Sequence, residues 1–142
     1  MLQQALIGMG SNIDPEHYLK MAAAAIRSEY PDVLFSHVYR SQPIGMSGGD
    51  FLNACCCLHT GLGTEATINW LKSLEQEAGR KPSHDPWEPR TLDLDLLMLG
   101  DRTLDEGLFQ YDHVRIPAME LMDLPFPRSS EANVNTYPAL RL

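Results

Sequence analysis

The run Pro89-Arg90-Thr91-Leu92-Asp93-Leu94-Asp95-Leu96-Leu97-Met98-Leu99 constrains the fold of this chain more than any other segment. Side chains alternate along a strand, so Leu92, Leu94 and Leu96 face one way while Asp93, Asp95, Leu97 and Leu99 face the other. From Leu96 onward both faces are apolar, which predicts a central strand covered on each side. Two unpaired carboxylates in such a place carry a large desolvation cost, so something cationic is expected beside them. At ~3.3 Å per residue their Cα atoms lie roughly 6.5–7 Å apart, close enough for both to converge on a hard divalent cation, with Arg90 placed to meet an anion. The competing expectation is the solvated end of an edge strand, since strands disfavour Asp.

A chain of 142 residues is most simply one domain, residues 1–142, large enough to bury a core without staples. Eleven Lys and Arg against 19 Asp and Glu leave a net charge of −8, which argues against general affinity for nucleic acid or anionic membrane. No apolar run approaches the length of a membrane span, and the N-terminus lacks a basic stretch followed by an apolar signal core. A soluble cytoplasmic protein is therefore expected, a monomer or small homo-oligomer. Cys55-Cys56-Cys57 has neither the spaced pairs of a zinc site nor a disulfide framework, and is expected to supply core thiols in a reducing compartment.

The elements follow in a regular order. Gln4–Met9 predicts a strand, and a helix begins after Asp14 with Pro15 in its first turn. Its stripe is Tyr18, Met21, Ala22, Ala25 and Ile26, and Pro31-Asp32 ends it. Val33–Tyr39 predicts a second strand, Gln42–Asp50 a glycine-rich loop, and Phe51–His59 a third strand. Thr64 is expected to cap a second helix with the stripe Ile68, Leu71, Leu74 and Ala78, closed by Gly79. A proline-rich loop from Gly79 to Pro89 leads into the aspartate strand, after which the chain reads as loop with little periodicity. The order β-α-β-β-α-β is that of an α+β, ferredoxin-like antiparallel sheet with helices packed on it.

Three features resist a purely structural account. Glu75 intrudes on the helix face that should meet the sheet, either as a functional acid or as a stripe-edge residue whose head reaches water. Gly8-Met9-Gly10 resembles the start of a dinucleotide fingerprint but lacks the third glycine, and that reading is rejected. The loop Arg80–Arg90 gathers cations and Trp87 beside the aspartate strand, as a closing segment over a site or as a plain surface loop.

Taken in order, Gly10-Ser11-Asn12, Tyr39-Arg40-Ser41-Gln42-Pro43-Ile44-Gly45, Phe51-Leu52-Asn53-Ala54, Glu75 through Arg80 and Pro89–Asp95 resemble the 6-hydroxymethyl-7,8-dihydropterin pyrophosphokinases of folate biosynthesis. The resemblance covers about the first hundred residues, and its Arg-Thr-Leu-Asp-Leu-Asp string is highly specific. It implies transfer of pyrophosphate from ATP to the pterin hydroxymethyl oxygen, with release of AMP. By the same resemblance Asp93 and Asp95 would hold Mg2+ ions bridging the ATP phosphates, and Arg80 and Arg90 would contact those phosphates. Trp87 would ride on a mobile lid, and Glu75 would lie next to the metal site on the nucleotide side. Asn53 would bond the pterin edge, Phe51 and Phe126 would take the stacking positions, and Ser41, Pro43 and Ile44 would wall the pocket.

The chain departs from the family beyond the aspartate strand. Where the family carries a Pro-His-Pro-like motif followed by Arg, Ala118 is read at the His position and Leu124 at the Arg position, with His113 or Arg115 as replacement cations toward the nucleotide. An active pyrophosphokinase and a non-catalytic pterin-binding paralogue, acting as sensor or partner protein, are thus the two functions open to the sequence. The chemistry favours the first, because alignment and charge neutralisation by carboxylates, arginines and a closing loop are what such a transfer needs.

Overall fold

The computed structural model describes residues 1–42, 49–79, 91–122 and 134–142. Its elements are β1 (Gln3–Ser11), α1 (Pro15–Glu29), β2 (Leu34–Phe35), β3 (Tyr39–Ser41), β4 (Phe51–Thr60), α2 (Thr64–Glu77), β5 (Asp93–Leu99), β6 (Arg102–Thr103), α3 (Gly107–Gln110), α4 (Asp112–Met119) and β7 (Val134–Thr136). The sheet order is β6-β5-β1-β4-β3-β7, with β2 also paired to β4, and every pairing is antiparallel. The β-α-β-β-α-β core predicted for a ferredoxin-like α+β fold is present, extended by β6, β7 and two short helices.

Burial follows from period-two alternation. Ala5, Ile7 and Met9 of β1, with Leu52, Ala54, Cys56 and Leu58 of β4, face α1 and α2 in one core. The α1 stripe that seals it is Leu19, Ala22, Ala23 and Ile26, a strip shifted slightly from the predicted one. From α2 come Leu71, Leu74 and Ala78. Gly63 holds the N-cap position and Thr64 is the first helical residue, one position later than a Thr64 cap requires. At ~25 cal/mol per Å² of apolar surface, side chains such as Leu19, Ile26 and Leu71 each contribute about 1.5–3 kcal/mol.

The second strand is not continuous. Ser36-His37-Val38 separates β2 from β3, and the backbone N–H of Cys55 bonds the Ser36 Oγ at 2.8 Å where a regular ladder would continue. The three thiols are buried, Cys55 and Cys56 pushed well above the ordinary thiol range first by burial, which makes them core residues rather than nucleophiles.

Two corrections concern β5. Among the described residues it is not central: β1 lies on one side, while β6 covers only Met98 and Leu99 on the other, so no described strand pairs with the outer edge of the half that carries Asp93 and Asp95. Asp95 is exposed and Asp93 half-buried, as the competing edge-strand expectation requires. The alternation also breaks, because Ile7 pairs Leu96 while Leu6 pairs Met98, leaving Leu97 as a bulge. The phase flips there, so Leu97 enters the opposite core and Leu99 joins Leu92, Leu94 and Leu96 on the α1–α2 face.

The segment read as loop after β5 folds over the second face of the sheet. Leu108 and Ala118, both fully buried, pack on Leu6, Cys55 and Leu97, with Val114, Leu121 and Met122 at the margin. The spacing Val114, Ala118, Leu121, Met122 is helical, but Pro117 lies inside α4 and masks it as a turn signal. Among the described residues no helix is long and apolar enough to cross a membrane.

The C-terminal end of α4 is tied down by Glu120, whose Oε1 accepts from the His37 backbone N–H at 3.1 Å and lies 2.7 Å from His37 Nδ1, while the Tyr39 hydroxyl donates to Oε2. Burial pushes this carboxyl up, but the bonds from Tyr39 and His37 outweigh burial and hold it below the ordinary value of 4.5. A depressed folded pKa contributes stability that is complete above the unfolded value and is lost as pH falls through the folded one. Glu120→Gln is therefore expected to lower Tm by a few degrees at pH 7 and by almost nothing at pH 3. A Tm difference that persists undiminished at pH 3 would contradict the clasp.

Candidate active site

The register of β1 builds the floor of the site. Gly10 lies between Asp93 of β5 and Asn53 of β4, and Gly8 between Asp95 and Cys55. Because these positions share one face, two glycines separate two carboxylates from an amide and a thiol with no side chain between them. Glycine in a strand interior costs stability and marks a close approach of something else. A Cβ on Gly10 would stand 3.3 Å from Asn53 Oδ1, and one on Gly8 would stand 3.3 Å from Leu97 Cδ1. Asn53 is buried and its Nδ2 donates to Ser41 Oγ at 2.7 Å, which fixes the amide so that Oδ1 lies over Gly10 as an acceptor.

Above this floor is a cavity walled by Ser41, Gln42 and Phe51 on one side, by Asp93, Asp95 and Asp105 on another, and by Tyr111, His113 and Val114 at its end. Burial pushes the His113 imidazole below its ordinary value, against the opposing pull of Asp112 and Asp93. A second concavity lies on the outer flank of β5, between Ile68, Leu71, Lys72 and Glu75 of α2 and Leu94, Leu96 and Leu104. Asp93, Asp95 and Asp105 line both hollows, so the aspartates form the ridge where the two meet.

Glu75 owes its inward position to the open edge of β5. The Leu94 N–H points away from β1, no strand among the described residues covers it there, and Glu75 Oε2 accepts it at 2.7 Å. The half-buried acid is thus neither a solvated stripe-edge group nor idle: it closes the sheet edge at the wall of the flank concavity.

Of the residues named from sequence, Ser41, Phe51, Asn53, Asp93 and Asp95 come together around the sheet-face cavity, and Glu75, Asp93 and Asp95 around the flank. Arg115 does not join them. It is buried inside α4 in an ion pair with Asp112 and lines neither concavity. Ala118 is a core residue at 0% exposure, where an imidazole would sit among Leu6, Cys55, Leu97 and Leu108 rather than reach a nucleotide. The chain's single Pro-X-Pro sequence is Pro125-Phe126-Pro127, followed by Arg128, and not the segment around Ala118. Pro43, Ile44, Arg80, Trp87, Arg90, Leu124 and Phe126 lie outside the described residues. Missed in the sequence were Gly8 and Gly10 as a floor, for which the period-two glycine pair was the available signal, and Asp105 and Tyr111, which carried none.

Gly10→Ala tests the floor. The added methyl crowds Asn53 Oδ1, so binding of a planar ligand over Gly10 is expected to weaken by about tenfold while Tm changes little, in keeping with one lost hydrogen bond. Calorimetry that finds unchanged binding would remove Asn53 from the recognition surface.

Comparison with known proteins identifies the family. A family model described as 7,8-dihydro-6-hydroxymethylpterin-pyrophosphokinase matches residues 6–141. The chain is 32% identical over 139 residues to the 2-amino-4-hydroxy-6-hydroxymethyldihydropteridine pyrophosphokinase of Synechocystis sp., covering 89% of this chain and 71% of that one. It is 31% identical over 121 residues to the enzyme of the same name from Pseudomonas putida, covering 83% of this chain and all of the relative. With the Pseudomonas aeruginosa protein of that name the identity is 31% over 129 residues, covering 88% and 79%. A match across nearly the whole chain, with the glycine floor and the aspartate ridge inside it, makes this chain a member of the 7,8-dihydro-6-hydroxymethylpterin-pyrophosphokinase family.

Proposed function

We propose that this protein transfers the β,γ-pyrophosphoryl group of ATP to the hydroxymethyl oxygen of 6-hydroxymethyl-7,8-dihydropterin and releases AMP, a step of folate biosynthesis. The observation that carries the reading is the pair of concavities that meet at Asp93 and Asp95, because a two-substrate transfer needs donor and acceptor delivered to one point from separate pockets. That ridge also favours catalysis over a pterin sensor, which has no use for a second hollow.

The pterin fits the sheet-face cavity. Glycine leaves room for a flat ring over β1, Phe51 offers a face for stacking, and Asn53 Oδ1, oriented by Ser41, accepts from the ring's N–H groups. ATP fits the flank, where Ile68, Leu71, Leu96 and Leu104 give an apolar seat for the base and Lys72 an adjacent cation. In the transfer the hydroxymethyl oxygen forms a bond to the β-phosphorus, and the bond from that phosphorus to the oxygen bridging it to the α-phosphate breaks. No side-chain nucleophile is required, and the work of the protein is to align the two ends and balance charge.

Asp93 and Asp95 are the residues that would hold Mg2+. Among the described residues no three or more His, Cys, Asp or Glu side chains form a metal cage, and two neighbouring carboxylates suit a hard cation that completes its shell with phosphate and water. When bound, the ion neutralises phosphate charge and polarises the transferred group. By the family resemblance Arg80 and Arg90 would complete the charge balance, Trp87 would act in closure, and Pro43, Ile44 and Phe126 would serve pterin binding. Cytoplasmic location and a monomeric or small homo-oligomeric state go with this reading, as do small-molecule rather than nucleic-acid or membrane partners.

Formation of AMP from ATP, dependent on both Mg2+ and the hydroxymethyl pterin, is the direct test. Asp95→Ala should lower turnover by about 10²-fold or more, at least the loss seen when metal sites lose supporting groups. The fold should survive, since Asp95 is exposed. Full activity of the variant would remove the ridge from the mechanism.

A further inference from the structure

The end wall of the sheet-face cavity is built by α3 and α4. The rings of Tyr111 and His113 lie 5.4 Å apart at an interplanar angle of 27°, a stacked pair. Both line the cavity together with Gly8, Gly10, Asn53 and Asp93. Tyr111 is 41% exposed, so its ring is accessible from solvent.

The wall is fixed rather than loosely laid. In front, α4 opens with the buried Asp112–Arg115 ion pair. Beneath, Leu108 and Ala118 are sealed onto the sheet through Leu6, Cys55 and Leu97. Behind, Glu120 binds His37 of the β2–β3 connection and Tyr39 at the start of β3. A stack held from three sides presents a preformed aromatic surface to whatever fills the cavity, and preformed surfaces bind with little ordering cost.

We propose that the stacked Tyr111–His113 pair is a positioning wall for the planar acceptor, contacting the heterocycle through its aromatic surface and setting how far the ring slides along β1 toward Gly8. It rests on the sheet-face cavity being the pterin site. The wall holds the acceptor by shape and stacking, and does not bind the nucleotide phosphates. His113 is thereby a substrate contact and not the replacement for a lost phosphate-binding cation.

The test compares wild type, His113→Ala, His113→Phe and Tyr111→Ala. Binding of 6-hydroxymethylpterin and of a non-hydrolysable ATP analogue with Mg2+ is measured by calorimetry, and Tm reports folding. Loss of the stack should raise the pterin Kd about tenfold in both alanine variants. Restoring the flat ring in His113→Phe should return it to within about threefold of wild type, with the analogue Kd unchanged throughout. An unchanged pterin Kd in both alanine variants, or an equal loss in His113→Phe and His113→Ala, overturns the stacking wall. A rise in the analogue Kd alone in His113→Ala overturns it in favour of a phosphate contact. Wild type that binds no pterin defeats the functional reading itself, whereas wild type that binds with unaffected variants defeats only the wall. Tyr111→Ala, at an exposed ring, keeps the comparison open should a His113 variant fold poorly.

Discussion

The antiparallel register of β1 against β4 and β5 is the constraint from which the rest of the site follows. It puts Gly10 between Asp93 and Asn53 and Gly8 between Asp95 and Cys55, so one face of three neighbouring strands has carboxylates at one side, an amide at the other and bare backbone between. A slip of one residue would send Met9 into that space and the glycines into the α1–α2 core, removing the cavity and opening a hole in the core together. A full-length ladder to β4 and a second ladder to β5 over Ala5–Gly10 hold the register of β1 against such a slip, which lets the sheet tolerate glycine where packing alone would favour Val or Ile.

The bulge at Leu97 divides the strand by use. Before it, β5 alternates between core leucines and the half-buried Asp93 and exposed Asp95; after it, the strand is apolar on both faces and covered by β6. The open outer edge beside Leu94 is closed by a carboxylate instead of a strand, and Glu75 there walls the flank concavity with the same side chain. A sheet edge, ordinarily a liability, thus becomes the boundary between the two hollows. The aspartates stand on that boundary with access to both sides, a more useful position than the doubly buried one first expected of them.

The parts legible in the sequence were those with strong periodicity or a dense motif. Both long helices, the three main strands and the Asp93–Asp95 pair follow from apolar spacing and from caps and turns at Pro15, Pro31 and Gly79. The setting of the pair did not follow, because an apolar run cannot reveal how much of a neighbouring strand covers it, and β6 is only two residues long. The second core was hidden by Pro117, which sits inside a helix whose first turn is secured by an ion pair. Ala118 was hidden in the same way: the neighbouring Pro117 reads as a turn signal, while the Ala118 side chain belongs to the packing beneath α4. Glu75 was identified as misplaced, but its partner was a backbone N–H, which no side-chain pattern encodes.

The central claim is that the two substrates enter by separate hollows and meet over Asp93 and Asp95. A crystal structure of the protein with hydroxymethylpterin, a non-hydrolysable ATP analogue and Mg2+ tests it most directly. This arrangement predicts the pterin ring over Gly10 beside Asn53, the base against Ile68 and Leu71, and the β-phosphate facing the hydroxymethyl oxygen at the aspartate ridge. A nucleotide seated over the glycine floor, or a triphosphate that reaches the acceptor without passing Asp93 and Asp95, would contradict it.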